Sequence, residues 1–211
     1  MSELLIRRRA LMMAADRPYT RLRSLISNGK QVISTGYYPV TDNSTNFVFR
    51  FRVLGLGSTQ IYFGVNNSAT PRPENYTFQL PLVSNRLRND LYNNYNDYFG
   101  SPSLDEEIEY KIIGNIATCL GTSLDVVSYS FTNPLYFFAQ NQNGATAARM
   151  AFLYSKFETS NGTEFELVPH LRNSDGKPGL LNLANGDFLT NLLTKEFGYE
   201  MMDGTIVQPQ S

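Results

Sequence analysis

The sequence predicts an all-β protein, an antiparallel β-sandwich preceded by a short helical or extended N-terminal arm. Three observations favour this class. The aromatic side chains are 14 Phe and 13 Tyr with no Trp, and Phe and Tyr are enriched in strands. Short segments alternate apolar and polar residues, and clusters of Gly, Pro, Asn and Ser separate them. A chain of 211 residues has the length of a single sandwich domain with short extensions.

The first residues favour an amphipathic arm. A basic stripe is followed by an apolar run of six residues, 10–15, which is shorter than the roughly 7 to 15 residues of a signal-peptide core. We therefore expect neither a secretion signal nor a membrane-spanning segment. Residues 1–20 are interpreted as an arm that docks on another chain, with packing on its own domain as the alternative. Its anchoring residues are Arg7, Arg8, Arg9, Leu11, Met12 and Met13.

The clearest strand pattern covers residues 46–53, in which every second residue from position 47 is Phe or Val. One face of this strand carries Phe47, Phe49, Phe51 and Val53, and the opposite face carries Arg50 and Arg52. Further strands are predicted at residues 61–65, 77–82, 109–113, 126–131, 135–139, 151–158 and 164–169. Asn161-Gly162 predicts a tight hairpin turn between the last two. The Tyr/Asn-rich residues 91–103 predict a long surface loop or an irregular edge.

Charge and cysteine content exclude several functional classes. The chain has 18 basic and 19 acidic residues, so it has no overall field that would collect phosphate backbones or anionic lipids. We expect no nucleic-acid partner and no membrane insertion. With one cysteine, Cys119, and one histidine, His170, neither an internal disulfide nor a Cys/His metal site can form. We interpret Cys119 as a small buried side chain and His170 as a structural or surface residue.

Two parts of the chain resemble a known family. Residues 25–39, LISNGKQVISTGYYP, are similar to the opening strand of laminin-G/concanavalin A-like jelly rolls in gut phage and bacterial surface proteins. In that family the pattern is approximately L-x-S-x-G-x-Q-Y-I-x-T-G-x-x-P, and Val32 replaces the usual Tyr. Residues 152–157, 165–169, 172–180 and 185–191 resemble the closing strands. The resemblance implies a jelly roll over residues 21–200 and a tail at 201–211, but fold does not specify function.

The opening RRRALMMA, residues 7–14, also resembles structural proteins of tailed phages of gut Bacteroidales, the crAss-like group. This resemblance implies a virion protein that is made in the host cytoplasm and released by lysis, with an extracellular or cell-surface location as the alternative. The partners that it implies are other virion proteins, further copies of this chain and a cell-surface polysaccharide.

Three alternating carboxylates are the best candidates for catalysis. Glycoside hydrolases of this fold carry such acids on one strand, and alternate residues of a strand lie roughly 6.6 Å apart on one face. The acids are Asp105, Glu107 and Glu109. However, the hydrolase pattern has apolar residues between the acids, whereas Glu106 lies between these, and the chain has no Trp to stack on a sugar ring. We therefore predict no enzymatic activity and no catalytic residue.

Loop residues supply the candidate contacts to a glycan or a protein partner. These are Tyr92, Tyr95, Tyr98 and Phe99, with Met201 and Met202 in the tail as a second contact. Loop oxygens for Ca²⁺ could come from Asp42, Asn43, Asn66 and Asn67, but such clusters are typical of turns. We expect no cofactor, and calcium is the alternative.

The sequence thus predicts a non-enzymatic structural protein of a phage head or tail fibre. A lectin-like bacterial surface protein is the alternative, and a glycoside hydrolase is less favoured.

Overall fold

The computed structural model describes residues 17–41, 43–65, 76–81, 86–91, 98–126, 129–130, 133–139 and 147–209. These residues form strands and turns without a helix, which confirms the all-β prediction. No bilayer-spanning helix occurs in these ranges. Most of the predicted arm lies outside the described residues, and so do its anchoring residues Arg7, Arg8, Arg9, Leu11, Met12 and Met13.

The strands are numbered in chain order within the described residues. They are β1 Tyr19–Asn28, β2 Ile33–Ser34, β3 Val40–Thr41, β4 Asn46–Val53, β5 Gln60–Val65, β6 Tyr76–Leu80, β7 Arg88–Leu91, β8 Glu107–Ile113, β9 Ile116–Cys119, β10 Thr122–Asp125, β11 Tyr129–Ser130, β12 Tyr136–Phe137, β13 Arg149–Thr159, β14 Gly162–Arg172, β15 Lys177–Asn182, β16 Phe188–Leu189, β17 Gly198–Met201 and β18 Ile206–Val207.

Two antiparallel sheets form the body of the protein. The larger sheet has the strand order β10-β9-β8-β4-β13-β1-β14-β15-β16, and β17 pairs with β1 and with β18. The smaller sheet has the order β2-β12-β5-β6-β7, and β3 pairs separately with β11. One end of β1 pairs with β14 and the other end with β13. The predicted β-sandwich is therefore confirmed.

Aromatic side chains fill the space between the two sheets. Phe49 and Phe51 of the larger sheet are fully buried, and they pack on Phe63 and Tyr62 of the smaller sheet with ring centroids 5.5 and 4.6 Å apart. Tyr62 is an extra residue in β5, because the β5–β6 register shifts between Ile61 and Phe63. This bulge lets two successive aromatic residues face the core, whereas a regular strand would send one outward.

Several local predictions are confirmed. The strand predicted at 46–53 is β4, and the hairpin of β13 and β14 turns at Asn161-Gly162, where Gly162 has φ of +114°. Cys119 is buried, as expected. Burial, together with the negative charge of Glu106, raises the pKa of its thiol to about 12. The thiol is therefore protonated at neutral pH and acts as a small apolar side chain.

One strand prediction is wrong at its start. The predicted strand 126–131 is described only at β11, and Val126 lies outside a strand. The preceding residues instead form the hairpin of β9 and β10, which turns at Leu120 and Gly121, both with positive φ. Most residues of β10, Thr122–Asp125, are polar. The short strand therefore lacks the repeated apolar positions by which a strand is predicted.

The side chain of Gln31 organises the turn that follows β1. Its Oε1 accepts hydrogen bonds from Ser27 Oγ (2.9 Å) and from the backbone N–H of Asn28 (3.1 Å). Its Nε2 donates to the carbonyl of Glu196, 3.0 Å away. Gly29 adopts φ of +91°, which L side chains rarely accept. The Ser, Gly and Gln of the opening motif therefore build this turn and attach it to the C-terminal part of the domain.

Candidate functional site

The predicted acid set lies on the outer face of the larger sheet, but it does not form one regular row. Glu107 and Glu109 belong to β8 and lie opposite Arg52 and Arg50 of β4. Asp105 precedes the strand with φ of +60°, so the predicted alternation does not include it. The backbone N–H of Asp105 instead donates to the carbonyl of Val53 at 2.7 Å.

Basic side chains hold the most central of these carboxylates. Arg50 Nε lies 2.5 Å from Glu109 Oε2, and Lys111 pairs with the other oxygen. Burial raises the pKa of Glu109, but hydrogen bonds from Lys111 and Arg50 together outweigh it, so the pKa lies below its ordinary value. A glycosidase acid needs the opposite shift, because it must carry a proton near neutral pH. This geometry favours a structural ion pair.

A second ion-pair cluster, which sequence reasoning missed, surrounds Glu200 on the same face. The Glu200 carboxylate is nearly buried and pairs with Arg23 at 3.1 Å and with Arg52. Ser24 Oγ donates to it at 3.2 Å, and Arg52 also reaches Asp105 at 3.0 Å. Two guanidinium groups thus compensate a carboxylate that would be costly to bury alone. Because Arg52 and Glu200 are 148 residues apart, no local pattern could indicate the pair.

The predicted contact loop is described only at its end. Tyr92 and Tyr95 lie outside the described residues. Tyr98 is half-buried between two basic side chains, with the guanidinium carbons of Arg86 and Arg88 at 5.2 and 5.8 Å from its ring centroid. We call these three residues the Tyr98 cluster. A ring flanked by guanidinium groups at the edge of the smaller sheet offers both cation–π and polar contacts to a partner.

Phe99 is a core residue, so its prediction as a contact is wrong. It is fully buried and packs on Phe78 and Tyr110 with ring centroids 6.0 and 5.8 Å apart. The backbone N–H of Phe99 donates to the Leu87 carbonyl, and the backbone N–H of Leu87 donates to a carbonyl of the segment that contains Phe99. These two hydrogen bonds fix the position of that segment. Successive side chains of extended backbone point in opposite directions. Tyr98 therefore lies at the rim while its neighbour enters the core.

A second aromatic group combines side chains from β1, β14 and β16 of the larger sheet, in which β15 separates β14 from β16. The rings of Tyr19 and Phe188 stack with centroids 5.0 Å apart, and Arg172 lies over Phe188 at 5.2 Å. The His170 ring meets the edge of Tyr19, and its Nδ1 lies 3.2 Å from the carbonyl of Val168. Burial lowers the pKa of His170. These contacts favour the structural interpretation of His170.

In the tail, Met202 is 65% exposed, so it stays available as a contact.

The described residues bring together no group of three or more His, Cys, Asp or Glu side chains able to hold a metal ion. Among the candidate calcium ligands, Asn43 Oδ1 accepts a hydrogen bond from Asn115 Nδ2 at 2.5 Å, and Asp42, Asn66 and Asn67 lie outside the described residues.

No protein-family model matches the chain, and neither does any curated protein sequence. The fold assignment therefore rests on the two sheets of the structure.

Proposed function

We propose that this chain is a non-enzymatic structural component of a bacteriophage virion, in the head or in a tail fibre, and that its sandwich is a jelly roll. The pairing of Glu109 with Arg50 and Lys111 is the observation that carries the non-enzymatic part. This carboxylate has a lowered pKa and two basic partners, so it suits a fixed surface ion pair better than proton transfer.

The interior suits a part that must hold its shape in an assembly. Its largest buried side chains are aromatic, and Tyr62 and Phe63 both face the opposite sheet. Close-packed rings transmit force and resist local opening, because each ring loses several contacts if it moves. The Gln31 turn adds a polar link between the start and the end of the domain. Rigid bodies lose little conformational entropy when they join a particle.

Two surfaces are proposed as contacts to neighbouring virion proteins. One is the arm, through the basic residues 7–9 and the apolar residues 11–13, as the phage resemblance implies. The other is the Tyr98 cluster, where Arg86 and Arg88 flank an aromatic ring. Both surfaces combine cationic groups with apolar area, so acidic or polar partner surfaces would complement them.

Co-purification with phage particles tests the assembly role. We expect a protein lacking residues 1–16 to keep its β-sheet circular dichroism and thermal unfolding but to disappear from purified particles. A matched control keeps the full arm and replaces Arg7, Arg8 and Arg9 by Gln, which separates the contribution of charge from that of length. Normal incorporation of the truncated chain would overturn the anchor assignment.

A stand-alone carbohydrate-binding protein is the second candidate function. The stacked rings of Tyr19 and Phe188, each partly exposed, favour it because sugars pack their C–H faces on aromatic rings. Binding of the isolated monomer to a glycan array, without any particle, would favour this alternative. Polysaccharide cleavage that disappears in Glu107→Gln would instead establish a glycoside hydrolase.

A further inference from the structure

A groove crosses the outer face of the larger sheet beside the C-terminal tail. Its volume is about 300 Å³. Polar side chains of Asn28, Arg149 and Gln208 line it together with the aliphatic side chains of Ile26, Leu54 and Ile206. Asp105 also reaches the groove, but Arg52 pairs with its carboxylate at 3.0 Å. The groove therefore mixes apolar walls with a cationic end.

Two of the lining residues, Ile26 and Arg52, belong to one row across the sheet. Arg52, Ala151, Ile26 and Gly198 lie side by side on β4, β13, β1 and β17. Ala151 has only a methyl group and Gly198 has no side chain. The tail then closes one side, because a Cβ on Gly198 would lie only 2.5 Å from the backbone nitrogen of Pro209. Only glycine permits this close approach.

The fold positions Arg149 at this groove before any ligand binds. Its aliphatic stem lies against two glycines, since a Cβ at Gly55 would come within 3.0 Å of Arg149 Cδ and a Cβ at Gly29 within 3.5 Å of its Cγ. The Arg149 backbone N–H donates to the buried Gln60 Oε1 at 2.8 Å. Among the described residues, no carboxylate pairs with the Arg149 guanidinium, whereas Arg52 has two acidic partners.

We propose that this groove binds one acidic sugar residue of a surface polysaccharide, with the sugar carboxylate paired to Arg149. A guanidinium group presents parallel N–H donors that match the two oxygens of a carboxylate. The amides of Asn28 and Gln208 can bind ring hydroxyls, and Ile26, Leu54 and Ile206 can cover C–H faces. A groove of about 300 Å³ lies at the small end of ligand sites, which fits one sugar ring. This proposal rests on the glycan-binding part of the proposed function and not on the assembly role.

Titration of the isotope-labelled full-length protein with glucuronate, followed by NMR, tests the proposal. Glucose at the same ionic strength is the neutral comparison. We expect glucuronate to shift the Nε–Hε signal of Arg149 and the amide signals of Asn28 and Gln208, and glucose to bind about ten-fold more weakly. Because these are signals of the unmodified protein, the result does not depend on whether a variant folds.

Substitutions then assign the charge. Arg149→Gln should weaken glucuronate binding about ten-fold, and Arg149→Lys should retain part of it because the positive charge remains. Arg50→Gln is the matched control, since it makes the same change on the same face outside the groove. It should bind glucuronate like the unmodified protein.

Three results would overturn the proposal: equal affinity for glucose and glucuronate, unchanged affinity of Arg149→Gln, or competition by acetate or by a short peptide with a free carboxylate that matches glucuronate. The last result would make the groove a general carboxylate site. Incorporation of Arg149→Gln into particles is the separate readout. We expect it to be normal, so failure of the sugar site and failure of the assembly role can be told apart.

Discussion

The backbone N–H of Val32 donates to Asn191 Oδ1 at 2.7 Å, although 159 residues separate the two. The backbone N–H of Leu192 returns a hydrogen bond to the Val32 carbonyl at 2.9 Å. Asn191 Nδ2 donates to the carbonyls of Leu193 and Lys195, so one amide side chain satisfies three backbone groups. The residues after the opening turn are thereby fastened to the chain that precedes β17.

Replacing Asn191 by Ala should destabilise the domain by about 2 kcal/mol, because a partly buried N–H and two carbonyls lose their partner. The measurement is urea-induced unfolding. The matched control is Asn185→Ala, in an exposed turn where Asn185 Oδ1 accepts a hydrogen bond from the N–H of Asp187. It should cost about 0.5 kcal/mol or less. Equal losses in the two variants would contradict a special role of Asn191.

The Glu200 cluster makes a second prediction. Glu200→Ala should lower the free energy of unfolding by about 3 kcal/mol, because Arg23 and Arg52 lose a nearly buried counterion. Glu107→Ala, on the same face but exposed, should change it by about 0.5 kcal/mol or less. Chemical denaturation of both variants provides the comparison, and a small loss for Glu200→Ala would show that its ion pairs only offset the cost of burial.

Local periodicity predicted the parts of this fold whose signal lies within a few residues. In β4, core-facing and outward-facing side chains alternate over the whole length. The Asn161-Gly162 pair indicates the turn of the hairpin in which it lies. The Arg52 partner of Glu200 could not be predicted, since the two residues are remote in sequence and their strands, β4 and β17, are separated in the sheet by β13 and β1. Arg149 was missed for a similar reason. Its role depends on Gly29 and Gly55, whose positions beside it follow from tertiary structure alone.

The pH dependence of stability should include a contribution from Asp175. A side-chain hydrogen bond from Arg172 lowers the Asp175 pKa to about 2. An unfolded aspartate titrates near 3.9, so the folded protein holds this proton less tightly. The contribution is fully present above about pH 4 and is lost as the pH falls towards about 2.

Thermal unfolding between these pH values checks the Asp175 contribution. Asp175→Asn should make the acid decline of the melting temperature shallower, because the titrating group is gone. Arg172→Gln should do the same, since it removes the cation that lowers the pKa. A decline in Asp175→Asn as steep as in the unmodified protein would assign the acid sensitivity to other carboxylates.

Neighbouring residues Tyr98 and Phe99 should respond very differently to truncation. The Tyr/Asn-rich composition of their segment conceals which of them faces inward, and the structure places Phe99 in the core and Tyr98 at the rim. Phe99→Ala should cost about 3 to 5 kcal/mol, because it opens a cavity beside Phe78 and Tyr110. Tyr98→Ala should cost about 1 to 2 kcal/mol, since it removes part-buried cation–π contacts with Arg86 and Arg88. If the Tyr98 cluster contacts a virion neighbour, Tyr98→Ala should remain folded in urea titrations yet reduce incorporation into particles. Stable incorporation at the normal level would remove this cluster from the proposed contacts, while the cost of Phe99→Ala would still measure the core.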